Sequence, residues 1–166
     1  MTDNHRTTGL QTSQSQPLVS IYWDYQNVPI SKLAKDLLVF ASELGCVVNR
    51  KVYNNWGKQN KEAQETLRCL NFDFSHEPLK IKNAVDFNLF GDCCSEGSSS
   101  LYPHTFIIVS GDGYGEILIR KLQDKGKKVI IVAVKGKEKP TLKKLADQFY
   151  FIDELPKSSE TYKLTT

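Results

Sequence analysis

The chain has 166 residues and a formal net charge of +3, from 22 Lys and Arg against 19 Asp and Glu. Its 40% hydrophobic and 25% charged residues are those of an ordinary globular domain and exclude a collagenous, fibrous or wholly disordered chain. The length suits one domain rather than two, and so small a net charge leaves the partner to be decided by where the charges cluster.

Residues 1–17 are polar and rich in Thr, Gln and Ser, with no apolar stretch of the kind a signal peptide needs, and are expected to form a disordered leader. No apolar run approaches the ~20 residues that span a bilayer, so a cytoplasmic protein without membrane contact is expected. Leu18-Val19-Ser20-Ile21-Tyr22-Trp23 reads as a buried strand that ends at Asp24. Over 30–44, Leu33, Leu37, Phe40, Ala41 and Leu44 follow helical spacing, and Gly45 is placed to stop the helix. A strand over 46–53, a polar segment over 54–59, a second helix to Leu70 and a short strand over 72–75 follow. Pro78 punctuates the chain there.

A short helix is expected over 84–92, and the small polar residues 95–100 read as a flexible surface loop. Thr105-Phe106-Ile107-Ile108-Val109 is the clearest buried strand. It runs into the turn Ser110-Gly111-Asp112-Gly113 and a helix over 115–125 that Gly126 ends. A strand over 129–134, a helix over 142–147, a strand over 149–152 and a loose tail over 156–166 complete the pattern. Strand and helix alternate throughout, which argues an α/β fold of three layers, with a mostly parallel central sheet in one domain over 18–155.

Cys46, Cys69, Cys93 and Cys94 form no C-x-x-C pair, so a zinc or disulfide framework lacks support. His5, His76 and His104 are scattered singly and give no histidine metal site or Ser-His triad. The carboxylates are more informative. In an open parallel sheet, functional groups collect beyond the carboxyl ends of the strands, and Asp24 and Asp112 each follow an apolar strand. Asp86, opening the third helix, reaches the same rim if the preceding connection returns there. Three carboxylates within a few Å repel one another and stay ionised only with a cation among them; an all-oxygen cluster selects Mg²⁺ or Mn²⁺ over zinc. Asn27, three residues after Asp24, suits the holding of metal-bound water and equally suits an Asx-type turn. Each acid alone also suits a turn or an N-cap.

Ile21-Tyr22-Trp23-Asp24-Tyr25-Gln26-Asn27, then Lys82-Asn83-Ala84-Val85-Asp86 with Asp92 following, then Val109-Ser110-Gly111-Asp112-Gly113, resemble in order and spacing the motifs of the NYN family. That family, with its LabA-like members, is a branch of the PIN-like nucleases. The resemblance implies a PIN-like, Rossmann-like α/β/α fold, a divalent metal, Mg²⁺ or Mn²⁺, held by Asp residues, and hydrolysis of RNA phosphodiester bonds. By motif, Asp24, Asn27, Asp86 and Asp112 take the catalytic positions, with Asp24, Asp86 and Asp112 as metal ligands. Asp92 matches a further acid, but roughly 600° of helical rotation separates it from Asp86 and gives it a supporting role. Tyr114 departs from the pattern by standing where a family acid is usual. Glu116, with its longer reach, is the candidate replacement ligand, or a first-turn capping acid.

Lys82 and Ser110, beside those acids, are candidate RNA contacts. Arg120, Lys121, Lys125, Lys127, Lys128, Lys135, Lys137, Lys139, Lys143 and Lys144 crowd the last third, as a phosphate-binding rim or as a solvated face. Arg50, Lys51, Lys58 and Lys61 interleave with Tyr53 and Trp56, a mixture that favours single-stranded RNA by stacking on unpaired bases; Trp56 equally suits packing against a helix. The expected function is a metal-dependent endoribonuclease, with a homodimer compatible. The main alternative is a non-catalytic RNA-binding or regulatory module on the same scaffold. An Mg-dependent phosphatase with an aspartyl nucleophile is disfavoured by Gln26, which stands where that chemistry needs a second acid. Dinucleotide binding fails on glycine spacing around Gly111, Gly113 and Gly115.

Overall fold

The apolar runs become parallel strands and the amphipathic runs the helices that connect them. The computed structural model describes residues 16–57, 60–75, 83–100 and 103–158. Lys58, Lys82, His5, His76, nearly all of the expected leader and the tail beyond residue 158 lie outside these. In chain order the elements are β1 (Leu18–Asp24), α1 (Leu33–Leu44), β2 (Cys46–Tyr53), α2 (Lys61–Cys69), β3 (Asp73–Ser75) and α3 (Ala84–Ser99). Then come β4 (His104–Val109), α4 (Gly115–Asp124), β5 (Lys128–Ala133), α5 (Pro140–Leu145) and β6 (Gln148–Phe151).

The described strands form one six-stranded sheet in the order β3-β2-β1-β4-β5-β6, and every pair is parallel. Alternation along β1 divides the core. Val19, Ile21 and Trp23 face a cluster with α1 and α2, built on Leu33, Leu37, Phe40, Ala41 and Leu67. Tyr22 faces the other cluster, with Val85, Leu89 and Cys93 of α3, Leu118, Ile119 and Leu122 of α4 and Leu142 of α5. The three-layer α/β architecture expected from the alternating pattern is therefore present, and both faces of the central strands are covered, as parallel sheets require.

The expected loop at 95–100 is instead the last turns of α3, which runs to Ser99. Serine and glycine disfavour helix interiors, but tertiary contacts decide here. Cys93 and Gly97 are buried on the sheet face; a Cβ at Gly97 would lie 2.7 Å from a Leu122 methyl group, which would have to shift to make room. Between them Glu96 points at the sheet. Its Oε1 accepts from Ser20 and lies 3.2 Å from His104 Nε2. Its Oε2 accepts from Tyr22 and, at 2.6 Å, from Asn49. Serine, tyrosine, asparagine and histidine on three strands thus converge on one carboxylate, and both of its oxygens are satisfied.

Burial alone pushes the Glu96 carboxyl up, but the bonds from His104, Ser20, Tyr22 and Asn49 outweigh it and hold the group at about 2. A carboxyl depressed in the fold stabilises it above the ordinary carboxylate range, and that contribution is lost as pH falls from about 4.5 towards about 2. Glu96→Ala should destabilise the protein by about 3 kcal/mol at neutral pH, the cost of leaving buried donors unpaired. Urea unfolding of parent and variant checks this; the difference between them should narrow as pH falls below about 4.5, where Glu96 is protonated in the unfolded parent but still ionised in the folded one.

Candidate functional site

The strand order reverses between β1 and β4, the place where an open parallel sheet leaves a crevice at its carboxyl edge. Trp23 pairs with Val109, so the residues that follow, Asp24 and Ser110, leave the sheet side by side. Asp24 is 1% exposed. Its Oδ1 accepts the backbone N–H of Asn27 at 3.2 Å. Its Oδ2 accepts the hydroxyls of Ser110 and Tyr114, each at 3.1 Å. The turn after β4 is tied to the same point: Asn27 Oδ1 accepts the Gly111 N–H at 2.8 Å, and Ser110 Oγ accepts the Asp112 N–H at 3.2 Å.

Gly111 is required by close approach. A Cβ there would lie 2.8 Å from the Glu138 Cα and 2.9 Å from the Lys137 carbonyl oxygen, and the Lys139 N–H donates to the Gly111 carbonyl at 2.9 Å. The loops after β1, β4 and β5 are thereby fastened to one another. The ends of β1 and β4, with the loops that follow them, and the first turn of α3 frame a cleft of about 240 Å³, lined by Asp24, Gln26, Asn27, Asn83, Asp86 and Asp112. Asn83 enters α3 in the left-handed conformation at φ 67°, which asparagine tolerates better than most residues and which often marks functional positions.

Charge accumulates in this cleft. Burial raises the Asp24 carboxyl despite its three donors, and Asp112 adds to the effect. Asp86 is pushed up to about 6 by burial first and then by the charges of Asp24 and Asp112. A carboxyl raised by burial and by neighbouring carboxylates marks a site where positive charge is favoured.

The sequence expectations divide at this cleft. Asp24, Asn27, Asp86 and Asp112 line it together. Asp92 faces elsewhere, accepting from Tyr53 at 2.6 Å and pairing with Lys51 at 3.6 Å. Glu116 does not stand in for the acid that Tyr114 displaces: it accepts from Thr141 and pairs with Lys139 at 3.0 Å, and these bonds hold its carboxyl below the usual range. Ser110 is buried with its hydroxyl on Asp24, and is therefore a support for that acid rather than an open RNA contact. Arg50 donates to the Leu70 carbonyl at 2.9 Å. Trp56 packs between Tyr25 and Phe74, with ring centroids 5.2 and 4.9 Å away. Arg120 is exposed on α4. Of the basic residues in the last third, Lys127 is buried, with its ammonium 2.6 Å from the Ser100 carbonyl. Sequence reasoning missed the Tyr114 hydroxyl as a partner of Asp24; its position two residues after Asp112 was the available signal.

Among the described residues, no three His, Cys, Asp or Glu side chains are disposed as a ready-made metal cage. The donor set nevertheless fits a hard cation. It is all oxygen, from three carboxylates and three amides, and Asp24 Oδ1, accepting one N–H, has a lone pair left. Mg²⁺ keeps several waters and asks only one or two carboxylates directly of a protein. Asp24, Asp86 and Asp112 would hold it.

No curated protein matches the chain. Among solved structures, the crystal structure of a protein of unknown function from Vibrio parahaemolyticus is 22% identical, with a TM-score of 0.73, covering 87% of this chain and 98% of that one. That likeness concerns the fold, a parallel sheet covered by helices and consistent with PIN-like proteins. The sequence profile of the NYN domain matches residues 18–153. With nearly the whole folded region matched, and the acids of its motifs on one cleft at the switch point, the chain belongs to the NYN domain family and through it to the PIN-like superfamily.

Proposed function

We propose that this protein is a divalent-metal-dependent ribonuclease acting on single-stranded RNA, with the cleft at the switch point as its active site. The observation that carries the reading is the gathering of Asp24 at the end of β1, Asp86 in the first turn of α3 and Asp112 in the turn after β4 around one small polar cleft. A bound Mg²⁺ or Mn²⁺ would supply charge neutralisation at the scissile phosphate and a water made more acidic.

The chain's own residues do the rest. Asp24 is fixed in orientation by donors from Asn27, Ser110 and Tyr114, so its free lone pair is aimed before any ligand arrives. Asp112 sits exposed on the turn that Gly111 and Asn27 anchor. Asp86 is half-buried on the first turn of α3 with its carboxyl pushed up to about 6, close enough to neutrality for it to accept a proton from an attacking water. The amides of Gln26, Asn27 and Asn83 offer N–H donors and carbonyl acceptors to the phosphate and the sugar hydroxyls. Gln26 leaves the cleft without the second acid an aspartyl-nucleophile phosphatase uses, which favours direct attack by water.

Asp24→Asn and Asp112→Asn each remove a charge at nearly constant volume. Each should lower the cleavage rate of a labelled single-stranded RNA about 100-fold or more, in the range seen for loss of a single charge-stabilising group. Cleavage at the parent rate in both variants overturns the reading. A complementary pair separates Tyr114 from Glu116. Tyr114→Phe removes only the hydroxyl on Asp24 and should weaken Mn²⁺ affinity about 10-fold, as loss of a ligand's supporting hydrogen bond does. Glu116→Gln should leave metal affinity unchanged, since its partners are Lys139 and Thr141.

One observation favours a second reading, a non-catalytic RNA-binding module: the Tyr114 hydroxyl takes a lone pair of Asp24 at the position where the family usually carries an acid. On that reading the parent binds RNA without metal-dependent cleavage, and Tyr114→Asp gains it.

A further inference from the structure

Among the described residues, three large apolar side chains are strongly exposed: Val48, Phe87 and Ile117. Phe87, 72% exposed, and Ile117, 58% exposed, sit in the first turns of α3 and α4. These two helices pack side by side on one face of the sheet. Both begin at the sheet's carboxyl edge, and Phe87 directly follows Asp86 of the acidic cleft.

Helical spacing extends both positions into stripes. Phe87, Phe90 and Cys94 share one face of α3, and Ile117, Lys121 and Lys125 share one face of α4 up to its end. Phe90, Cys94, Lys121, Leu122, Asp124 and Lys125 line a groove of about 510 Å³ between the helices. Its floor is apolar and aromatic, and two lysines against one acid make its rim net positive.

We propose that this groove receives the unpaired RNA strand that leads away from the cleft, with a base stacked on Phe87 at its mouth and backbone phosphates against Lys121 and Lys125. The proposal rests on the reading of the cleft as a site acting on RNA. An exposed aromatic ring beside an acidic cleft is a ready π-face for a base, and stacking of this kind tolerates any base. The two lysines repeat about 6 Å apart along the α4 axis, four residues at 1.5 Å each, in line with the stripe that starts at Ile117. A charged backbone along one wall and bases against the other is the division of contacts that single-stranded nucleic acid requires. The groove suits a second copy of the chain less well, because a two-fold interface centred on it would bring the lysine-rich rim against itself.

The test is fluorescence anisotropy with a labelled oligoadenylate of about 12 nucleotides, in EDTA so that binding is read without cleavage. Phe87→Ala, at an exposed position, should weaken binding roughly 5- to 100-fold, the loss of one base–aromatic stack. The double variant Lys121→Ala/Lys125→Ala should flatten the slope of log affinity against log salt by about 1.4, or about 0.7 for each phosphate released. Lys35→Ala, exposed on α1 against the opposite sheet face, should change neither. Parent-like affinity and salt slope in the groove variants, in a protein that still binds and cleaves RNA, overturn the groove and leave the cleft's reading intact. A parent that neither binds nor cleaves RNA overturns both. A parent dimer that Phe87→Ala dissociates, with RNA affinity unchanged, assigns the groove to a second copy and overturns the proposal.

Discussion

Burying the Asp24 carboxylate at the carboxyl end of β1 imposes a requirement that much of the carboxyl edge is arranged to meet. A carboxylate taken out of water needs donors, and these come from the loop after β1, through the Asn27 N–H, and from the loop after β4, through the Ser110 and Tyr114 hydroxyls. Those donors are in place only because β1 and β4 are neighbours in parallel register, so that the chain leaves both strands at the same level. The turn that supplies them carries Asp112, and its Gly111 is pressed against the loop after β5. One buried acid thus determines the path of two loops and the position of a second acid.

The same face of the sheet holds another buried carboxylate, and the contrast shows what separates a structural acid from a chemical one. Glu96 meets donors on both oxygens, with Asp92 displaced to Tyr53 and Lys51, and its carboxyl is held at about 2. It stays ionised through ordinary conditions and clamps α3 to the sheet. Asp24, Asp86 and Asp112 instead face one another, and Asp86 rises to about 6. The shifts are opposite because four donors outweigh burial at Glu96, whereas at Asp86 burial is reinforced by the charges of Asp24 and Asp112. Retaining mutual repulsion in a fold is unfavourable for stability, and it makes sense where a cation or a proton is to be taken up.

Most of this was legible in the sequence because the signals were local. An apolar run closed by an acid located the end of β1, and Val109-Ser110-Gly111-Asp112 located the end of β4; the motif order then brought in Asp86 and Asn27. What escaped depended on tertiary partners. The end of α3 looked like a loop because Ser and Gly are weak helix formers, and the interaction that overrides them, Glu96 with Ser20, Tyr22, Asn49 and His104, joins residues far apart in the chain. Glu116 lay at the right sequence distance to replace an acid, but the loop before α5 brings Lys139 to it. Trp56 read equally as an RNA-stacking ring or a packed one, and it is engaged by Tyr25 and Phe74. Phe87 carried no signal at all, because exposure is invisible in a residue type that is ordinarily buried.

The acidity of the cleft raises a question about any polyanion that visits it, since three carboxylates repel the phosphates they would act on. Attraction must then come from a cation in the cleft and from basic side chains beyond it. The basic stretch of the last third supplies less than its composition suggests. Lys127 is buried against the Ser100 carbonyl, Lys139 is paired with Glu116, and Lys143 lies over the rings of Phe149 and Phe151. Lys128, Lys135, Lys137 and Lys144 are exposed, as are Lys121, Lys125 and Arg120 on α4 or at its end, the helix that begins beside Asp112 and descends along the groove shared with α3. On the proposed reading, a strand would be held by these side chains and only its leading phosphate would enter the cleft. Capture and chemistry would then rest on different residues, and loss of catalysis at the acids would not by itself abolish binding of a polyanion.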